Sequence, residues 1–299
     1  MRIITNQRIV DLGITPRECV EWVRESFCMK YEAQLPTKIS LHPQGSDFFN
    51  TMPCLLPAKY GRFGVKVVSR VAGQKPSLHS DLLLYDSKTG ELLSFMDADW
   101  ITQMRTGAVA ALTIETLQKK DTQVYSFVGL GSTAQATMMC LQAILPQSKQ
   151  VKVKLLRYKN QAELFAEQFA HPQMQFEIVD KHEELLKDCD VLISAVTEMP
   201  ELFCTDDDFY PKGILLVPIH TRGFQNCDLF FDHVFADDKG HVENFKYFSR
   251  FKAFNELSEV LLGKVCGRLN DSERILAYNI GLGLHDVWFA SKIYERLCC

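Results

Sequence analysis

The stretch Val124–Ala134, V-Y-S-F-V-G-L-G-S-T-A, decides the fold of this chain. A short apolar run ends in a glycine turn and continues into a sequence that favours a helix. A strand, a tight glycine turn and a helix in this order let the backbone approach a dinucleotide pyrophosphate. The N–H groups of the helix N-terminus then face the anion. We therefore predict dinucleotide binding at Gly129, Gly131, Ser132, Thr133 and Ala134.

From Thr122 onward the chain alternates short apolar strands with helices. Such alternation predicts right-handed βαβ units and a parallel sheet with helices on both faces. The fold class predicted is therefore α/β, with a Rossmann-type doubly wound parallel sheet. The predicted strands are Val124–Val128, Val151–Leu156, Gln175–Val179, Val191–Ala195, Gly213–Val217 and His233–Ala236.

The residues before Thr122 predict a mixed α+β arrangement. Ser272–Leu297 is predicted to be helical, with interruptions near Gly281 and Gly283. The Rossmann domain, residues 118–269, is thus predicted to be inserted in an α+β substrate domain formed by residues 1–117 and 270–299. The predicted elements of the first part are helices at Thr15–Glu32 and Asp97–Lys119 and strands at Lys38–Leu41, Phe48–Met52, Arg62–Arg70, Leu82–Tyr85 and Glu91–Phe95.

Composition restricts the partners and the compartment. The formal net charge is −4 and the pI is about 6.1, which argues against nucleic acid or an anionic membrane as a partner. No apolar run has the length of a membrane span, and the first residues do not resemble a signal peptide. Ten scattered cysteines without a C-x-x-C pair predict neither a metal site nor a disulfide framework, and they favour a cytoplasmic protein.

The end of the second Rossmann strand selects between the two nicotinamide coenzymes. An acidic residue there binds the ribose 2′-hydroxyl, whereas a basic residue accommodates a 2′-phosphate. Arg157, Tyr158 and Lys159 follow this strand without a carboxylate, so NADP(H) is favoured and NAD(H) remains possible. A solvated basic loop is the alternative interpretation. Ala195 and Thr197, after the fourth strand, are also predicted to contact the coenzyme.

Several further segments share a pattern with one known family. They are Gly64–Val68, Asp86–Met96, Ile101–Ala108, Gly129–Ala134 and Gly281–Asp286. Together they resemble the ornithine cyclodeaminase and mu-crystallin family over nearly the whole chain. The resemblance implies a homodimer of two-domain subunits, with the α+β domain serving substrate binding and dimerisation. It also implies action on the Cα–N bond of a small amino or imino acid.

The resemblance assigns the substrate carboxylate to Lys66, in G-V-K, and Arg105, in R-T-x-A, with Lys38 as a third basic group. An arginine fork orients a carboxylate strongly. Lys66, if desolvated beside Arg105, has a depressed pKa and can exchange a proton with the substrate nitrogen. Gly281 is predicted to allow close approach to the nicotinamide ring, and Asp286 to cap or pair structurally.

One segment departs from the family. The deaminating members carry an aspartate after a late sheet strand, where this chain reads Val217–Asp228 without the expected glycine-rich element. His220 could replace it as acid and base, and Arg222 could bind an acidic group on the substrate. Alternatively, both contact coenzyme phosphate or cap the sheet edge. His79 is predicted at the substrate wall, or else as a structural histidine.

Three functions remain open from the sequence. The first is an NAD(P)-dependent oxidoreductase of an amino or imino acid, with Lys66, Arg105 and His220 as catalytic residues. The second is a deaminating lyase of the cyclodeaminase type that uses the coenzyme catalytically. The third is a coenzyme-bound, crystallin-like binding protein without turnover.

Overall fold

The computed structural model describes residues 1–197 and 199–298, except for the side chain of residue 298. The chain forms two compact units, Met1–Arg105 with Gly281–Cys299 and Thr106–Ile280. These boundaries lie at 105/106 and 280/281, whereas the sequence predicted 117/118 and 269/270. The functions assigned to the two parts remain predictions.

The first unit is built on a six-stranded sheet. Its strands are β1 (Arg2–Ile4), β2 (Ile39–Leu41), β3 (Phe48–Leu55), β4 (Arg62–Arg70), β5 (Leu78–Asp86) and β6 (Leu92–Asp97). They are arranged in the order β1-β6-β5-β4-β3-β2, with β1 parallel to β6 and the other pairs antiparallel. The helices that begin in this unit are α1 (Asn6–Val10), α2 (Pro16–Cys28), α3 (Asp99–Leu117) and the C-terminal α10 (Gly283–Cys298).

One face of this sheet forms the core of the unit. Helix α10 packs on β3, β4 and β5, and α2 packs on α10. Trp22 and Phe289 meet edge to face at 5.1 Å between the two helices. Gly64 makes the approach of α10 to β4 possible, because a Cβ there would lie 2.8 Å from Val287 Cγ2. The residue before Val287 is thereby held against the middle of β4.

The second unit is an eight-stranded parallel sheet. Its strands are β7 (Val124–Val128), β8 (Val151–Leu156), β9 (Met174–Val179), β10 (Val191–Ser194), β11 (Leu215–Pro218), β12 (His233–Ala236), β13 (Phe254–Glu256) and β14 (Ile275–Tyr278). Their order is β13-β12-β14-β11-β10-β7-β8-β9. The helices are α4 (Ser132–Ile144), α5 (Gln161–Gln168), α6 (His182–Leu186), α7 (Cys227–Phe230), α8 (Lys239–Val242) and α9 (Leu257–Leu261).

The chain order reverses between β7 and β10, which lie side by side. In open α/β sheets, ligands bind beyond the carboxyl ends of the strands at such a switch point. The glycine turn after β7 lies at this place. The predicted α/β class with a doubly wound parallel sheet is confirmed.

The prediction for Ser272–Leu297 is wrong in its first part. Ile275–Tyr278 is a fully buried central strand, β14, and only Gly283–Cys298 is helical. A four-residue apolar run buried on both faces has no alternation, so it cannot be distinguished from a buried helical segment by its pattern. Strands β1 and β13 were not predicted. No helix among the described residues has the length and apolarity of a membrane span.

Candidate functional site

A buried cluster of three charges lies in the first unit. The Nζ atom of Lys66 donates to Oδ1 of Asp286 at 2.7 Å, and Nε of Arg105 donates to the same oxygen at 2.9 Å. Lys66 and Asp286 are fully buried, and the Arg105 side chain is 7% exposed. Counted with both basic groups protonated, two positive charges and one negative charge leave a net charge of +1.

Each member of the cluster is placed by its own element. Even-numbered residues of β4 point toward the covered face of the sheet, so Lys66 is buried there as Gly64 and Val68 are. Arg105 comes from α3. Asp286 lies in the first turn of α10. This helix can approach β4 because Gly64 has no side chain. Lys66 and Arg105 are thus brought together as the sequence predicted.

The electrostatics of Lys66 follow from its surroundings. Burial, the charge of Arg105 and the more remote charge of Lys38 lower the pKa of Lys66 to about 7, although Asp286 opposes them. An ammonium with this pKa is divided between its charged and neutral forms near neutral pH. Such a group can give or take a proton under physiological conditions.

Two hydroxyl groups extend the cluster. Lys66 Nζ also donates to Oγ1 of Thr102 at 3.3 Å, and Thr102 donates to Oγ of Ser80 at 2.8 Å. Lys38, half-buried, lies within electrostatic range of Lys66. The three basic residues predicted for the substrate carboxylate therefore contribute to one electrostatic site.

Gly281 lies against the guanidinium of Arg105. Its φ is +97°, in the region that favours glycine, and a Cβ there would lie 2.5 Å from Nη1 of Arg105. The residue was predicted to make room for the nicotinamide ring. In the structure its missing side chain makes room for Arg105.

In the second unit, the glycine turn has the geometry that its sequence predicts. Gly129 has φ +76°, and a Cβ there would lie 2.8 Å from the backbone nitrogen of Val196. Gly131 caps α4 without a side-chain hydrogen bond, and no described heavy atom lies within 4 Å of the place of its missing Cβ. The open turn and the uncapped amides suit an anionic group.

The other coenzyme candidates of this unit lie at the carboxyl ends of β8 and β10. The backbone of Ala195 lies next to Gly129, and Thr197 follows as an exposed residue.

Arg157, after β8, donates from Nε to Asp180 at 2.8 Å and also pairs with Glu163. Tyr158 is exposed, and the Lys159 ammonium lies over its ring. Arg157 is thus a charged but already paired group.

His220 follows β11 and is engaged at both ring nitrogens. Nε2 lies 2.7 Å from Oγ of Ser194, and Nδ1 accepts from the backbone N–H of Arg222 at 3.3 Å. Burial lowers the pKa of His220 to about 4. The ring is therefore neutral at pH 7, which argues against the predicted acid and base role. Arg222 is exposed in the same turn.

His79 does not lie on the side of the sheet that carries Lys66. It occupies an odd-numbered position of β5, whereas the neighbouring Ser80 faces the cluster. The ring is 57% exposed and lies 3.4 Å from Asp99. His79 therefore lies on the face of the sheet opposite to Lys66, because the strand begins at Leu78 and its alternation directs His79 outward, and its place at the substrate wall stays a prediction.

The sequence did not predict the role of Asp286 between the two cations. The signal available was the family-like G-x-x-x-x-D segment after Gly281, which indicates a helix start but not its contact with β4. No group of three or more His, Cys, Asp or Glu residues that could hold a metal occurs in the described part of the chain.

Comparison with known proteins places the chain among related sequences. The family model described as "Ornithine cyclodeaminase/mu-crystallin family" matches residues 2–298. The nodulation efficiency protein NfeD of Rhizobium meliloti is 26% identical over 87% of this chain and 83% of its own length.

Two solved structures are similar over nearly the full length. The Δ1-pyrroline-2-carboxylate reductase of Thermococcus litoralis, in complex with NADH and L-proline, has a TM-score of 0.84 at 23% identity and covers 99% of this chain and 97% of its own. An archaeal alanine dehydrogenase dimer with bound NAD has a TM-score of 0.82 at 23% identity and covers 98% and 94%. Because the family model matches residues 2–298 and the two solved structures share the fold of this chain, the chain belongs to the ornithine cyclodeaminase/mu-crystallin family.

Proposed function

We propose that this protein is an NAD(P)-dependent oxidoreductase that acts on the C–N bond of a small amino acid or imino acid. The observation that carries the proposal is the buried Lys66–Asp286–Arg105 cluster, whose net charge is +1 when Lys66 is protonated. Such a cluster complements one carboxylate. The pyrroline-2-carboxylate reductase and alanine dehydrogenase folds support the same class of chemistry.

The three basic residues Arg105, Lys66 and Lys38 have distinct roles in this proposal. Arg105 binds the substrate carboxylate through its guanidinium and fixes the neighbouring carbon. Lys66 transfers a proton to the nitrogen during reduction and takes it back during oxidation, as a pKa of about 7 allows. Lys38 adds positive potential for the carboxylate.

The residues of the second unit fit a dinucleotide. Gly129 and Gly131 leave the turn after β7 open, and the amides at the start of α4 lack a side-chain cap. When bound there, the coenzyme supplies or accepts the hydride at the carbon that bears nitrogen. Ser132, Thr133, Ala134, Ala195 and Thr197 are the proposed further contacts.

Reduction is favoured over cyclodeamination because of the segment after β11. A deaminating cycle needs a carboxylate base there, whereas this chain has a neutral His220 with both nitrogens engaged. A lyase of the cyclodeaminase type is therefore the second candidate, and a coenzyme-bound protein without turnover is the third.

A turnover screen separates the three candidates. Cyclic and linear imino acids, amino acids, ornithine and lysine are offered with NADH, NADPH or the oxidised forms, while coenzyme absorbance and ammonia are followed. The proposal expects a stoichiometric change in absorbance with at least one amino or imino acid. Ammonia released from ornithine without a net absorbance change supports the lyase, and no turnover at all contradicts both enzymatic functions.

We propose NADP(H) as the preferred coenzyme, on the basis of Arg157 and Lys159 after β8. Arg157→Ala is expected to raise the KM for NADPH about tenfold or more, because a charge-assisted hydrogen bond contributes about 1.5–3 kcal/mol. The KM for NADH should change less than about twofold. Lys152→Ala is the matched control, since Lys152 is also half-exposed and paired with a carboxylate, at the other end of β8. A wild-type preference for NADH contradicts the proposal.

We also propose a homodimer formed through the uncovered face of the six-stranded sheet. Odd-numbered residues present apolar side chains on this face, among them Ile39 at 59%, Leu41 at 64% and Phe49 at 43% exposure. Exposed apolar patches of this kind mark protein interfaces. The dimeric state of the similar alanine dehydrogenase structure supports a second copy of this chain as the partner.

Phe49→Glu tests this interface. Burying an unpaired carboxylate at the contact is expected to weaken the dimer at least a hundredfold, because such a charge costs several kcal/mol. Sedimentation velocity measures the shift from dimer to monomer. Leu164→Glu is the control, since Leu164 is an exposed apolar residue of α5 in the other unit. Equal dissociation by both variants, or a stable Phe49→Glu dimer, excludes this interface.

A further inference from the structure

One oxygen atom accepts hydrogen bonds from both cations of the cluster. Asp286 Oδ1 accepts from Lys66 at 2.7 Å and from Arg105 at 2.9 Å, and the carboxylate is fully buried. Both bonds are charge-assisted, the strongest kind available to side chains. A shift of this atom therefore moves both groups proposed to contact the substrate.

The second oxygen of the same carboxylate is unusual. Asp286 Oδ2 is buried and has no hydrogen-bond partner among the residues that the structure describes. A buried acceptor left without a donor lowers the stability of the folded protein, and it does so more when the acceptor is charged. Replacing buried ion pairs by apolar residues is often neutral or stabilising, so a purely structural link between α10 and β4 does not need this arrangement. The cost favours a role in the chemistry of the site.

The following inference rests on the proposed function. We propose that Asp286 is the residue that positions Lys66 and Arg105 in this site. Through one shared oxygen it holds the Lys66 ammonium and the Arg105 guanidinium in place and maintains the charge that Lys66 needs to donate a proton. It does not itself contact the reacting atoms. Its effect on the reaction is transmitted through Lys66 and Arg105.

The charged and polar groups around Lys66 explain why the negative charge of Asp286 matters. Arg105 and Thr102 face it from α3, Asp286 faces it from α10, and Lys38 acts from the segment before β2. The thiol of Cys54 on β3 lies in the field of the same carboxylate, and burial together with Asp286 raises the pKa of Cys54 to about 12. Among these groups Asp286 carries the negative charge. Without it, Lys66 would be buried beside positive charges and would release its proton at a lower pH.

Asp286→Asn tests the proposal through the pH profile of the reduction. Since a neutral Lys66 cannot donate a proton, kcat/KM for reduction falls above the pKa of Lys66. The variant should shift this basic limb downward by at least one pH unit and lower kcat at pH 7.5 tenfold or more. Asp228→Asn is the matched control, because Asp228 is a buried carboxyl that accepts from Tyr278 at 2.8 Å in the other unit. It should leave the limb unchanged.

A double variant separates positioning from a merely structural role. Lys66→Met with Asp286→Asn should lose less activity than the two single losses combined, because the part of the Asp286 effect that acts through Lys66 is already gone. The double variant should also unfold at a higher temperature than Asp286→Asn alone, because it leaves no unpaired buried ammonium. Additive losses of activity, or an unmoved basic limb in Asp286→Asn, overturn the proposal. If neither Asp286→Asn nor the double variant folds, Asp286 is structural and the proposal fails.

The failure of the proposed function has a different signature. In that case the wild-type protein itself shows no turnover with any imino or amino acid. The coupling of Asp286 to Lys66 in the unfolding temperatures can still be measured, because it needs no substrate. Its absence then rejects the positioning role independently.

Discussion

Lys66→Met is expected to lower kcat for the reduction of an imino acid by about a thousandfold, since a positioned general acid contributes between about a hundredfold and ten-thousandfold. The pH profile should change as well. With a pKa of about 7, wild-type Lys66 is charged below pH 7, so kcat/KM for reduction is level there and falls above it. In the oxidative direction the neutral amine is needed, and kcat/KM should rise across the same range. In the variant, neither the fall of kcat/KM for reduction nor the rise of kcat/KM for oxidation should remain.

The fold is expected to tolerate this substitution. Methionine fills a similar volume, and Asp286 keeps Arg105 as its partner at 2.9 Å. Lys30→Met is the matched control, because Lys30 is a buried lysine of the same unit whose ammonium lies over the Tyr31 ring. Full activity of Lys66→Met, or a basic limb that remains near pH 7, refutes the proton-transfer role.

Arg105→Ala is expected to reduce kcat/KM about a hundredfold to a thousandfold, mainly through a higher KM for the carboxylate substrate. The variant loses a charge-assisted fork and the orientation that the fork imposes on the reacting carbon. Arg105→Lys should fall between wild type and alanine, since it keeps the charge but loses the planar fork. Steady-state kinetics with the best substrate from the turnover screen measure the three values.

Arg62→Ala serves as the control for this series. Arg62 is a half-buried arginine on β4 that donates to the carbonyl of Gly61 at 3.2 Å and lies over the Tyr294 ring. Its loss should change stability without raising the KM. A KM that is unaltered in Arg105→Ala, or raised equally in both alanine variants, excludes Arg105 from carboxylate binding.

Much of the fold could be predicted because its signals are local. The apolar strands from β7 to β12 are separated by turns and helices, and that alternation defines a parallel sheet without any knowledge of distant contacts. Strand β14 escaped prediction because its position at the centre of the sheet, between β11 and β12, depends on pairing with residues far away in sequence. Four buried apolar residues carry no period that reveals such a position.

The same difference between local signals and contacts of distant residues applies to the site. Lys66 and Arg105 were identified by the motifs in which they stand, whereas Asp286 reaches them from the far end of the chain, and its contact depends on the absence of a side chain at Gly64. The face on which His79 lies depends on a strand boundary. The strand predicted at Leu82–Tyr85 begins after His79, so the alternation that directs this side chain away from Lys66 is seen only in the structure.

The contact between Gly281 and Arg105 constrains how this chain can diverge. A methyl group at position 281 would lie 2.5 Å from Nη1 of Arg105, so no larger residue fits there while the arginine keeps its place. A shorter residue at 105 relieves the clash, but the first step of that exchange removes the proposed carboxylate fork. These two positions, which flank the second unit in the sequence, can therefore change only together, through an intermediate that is crowded or inactive. Divergence of substrate preference is accordingly easier at other positions around the cluster than at this pair.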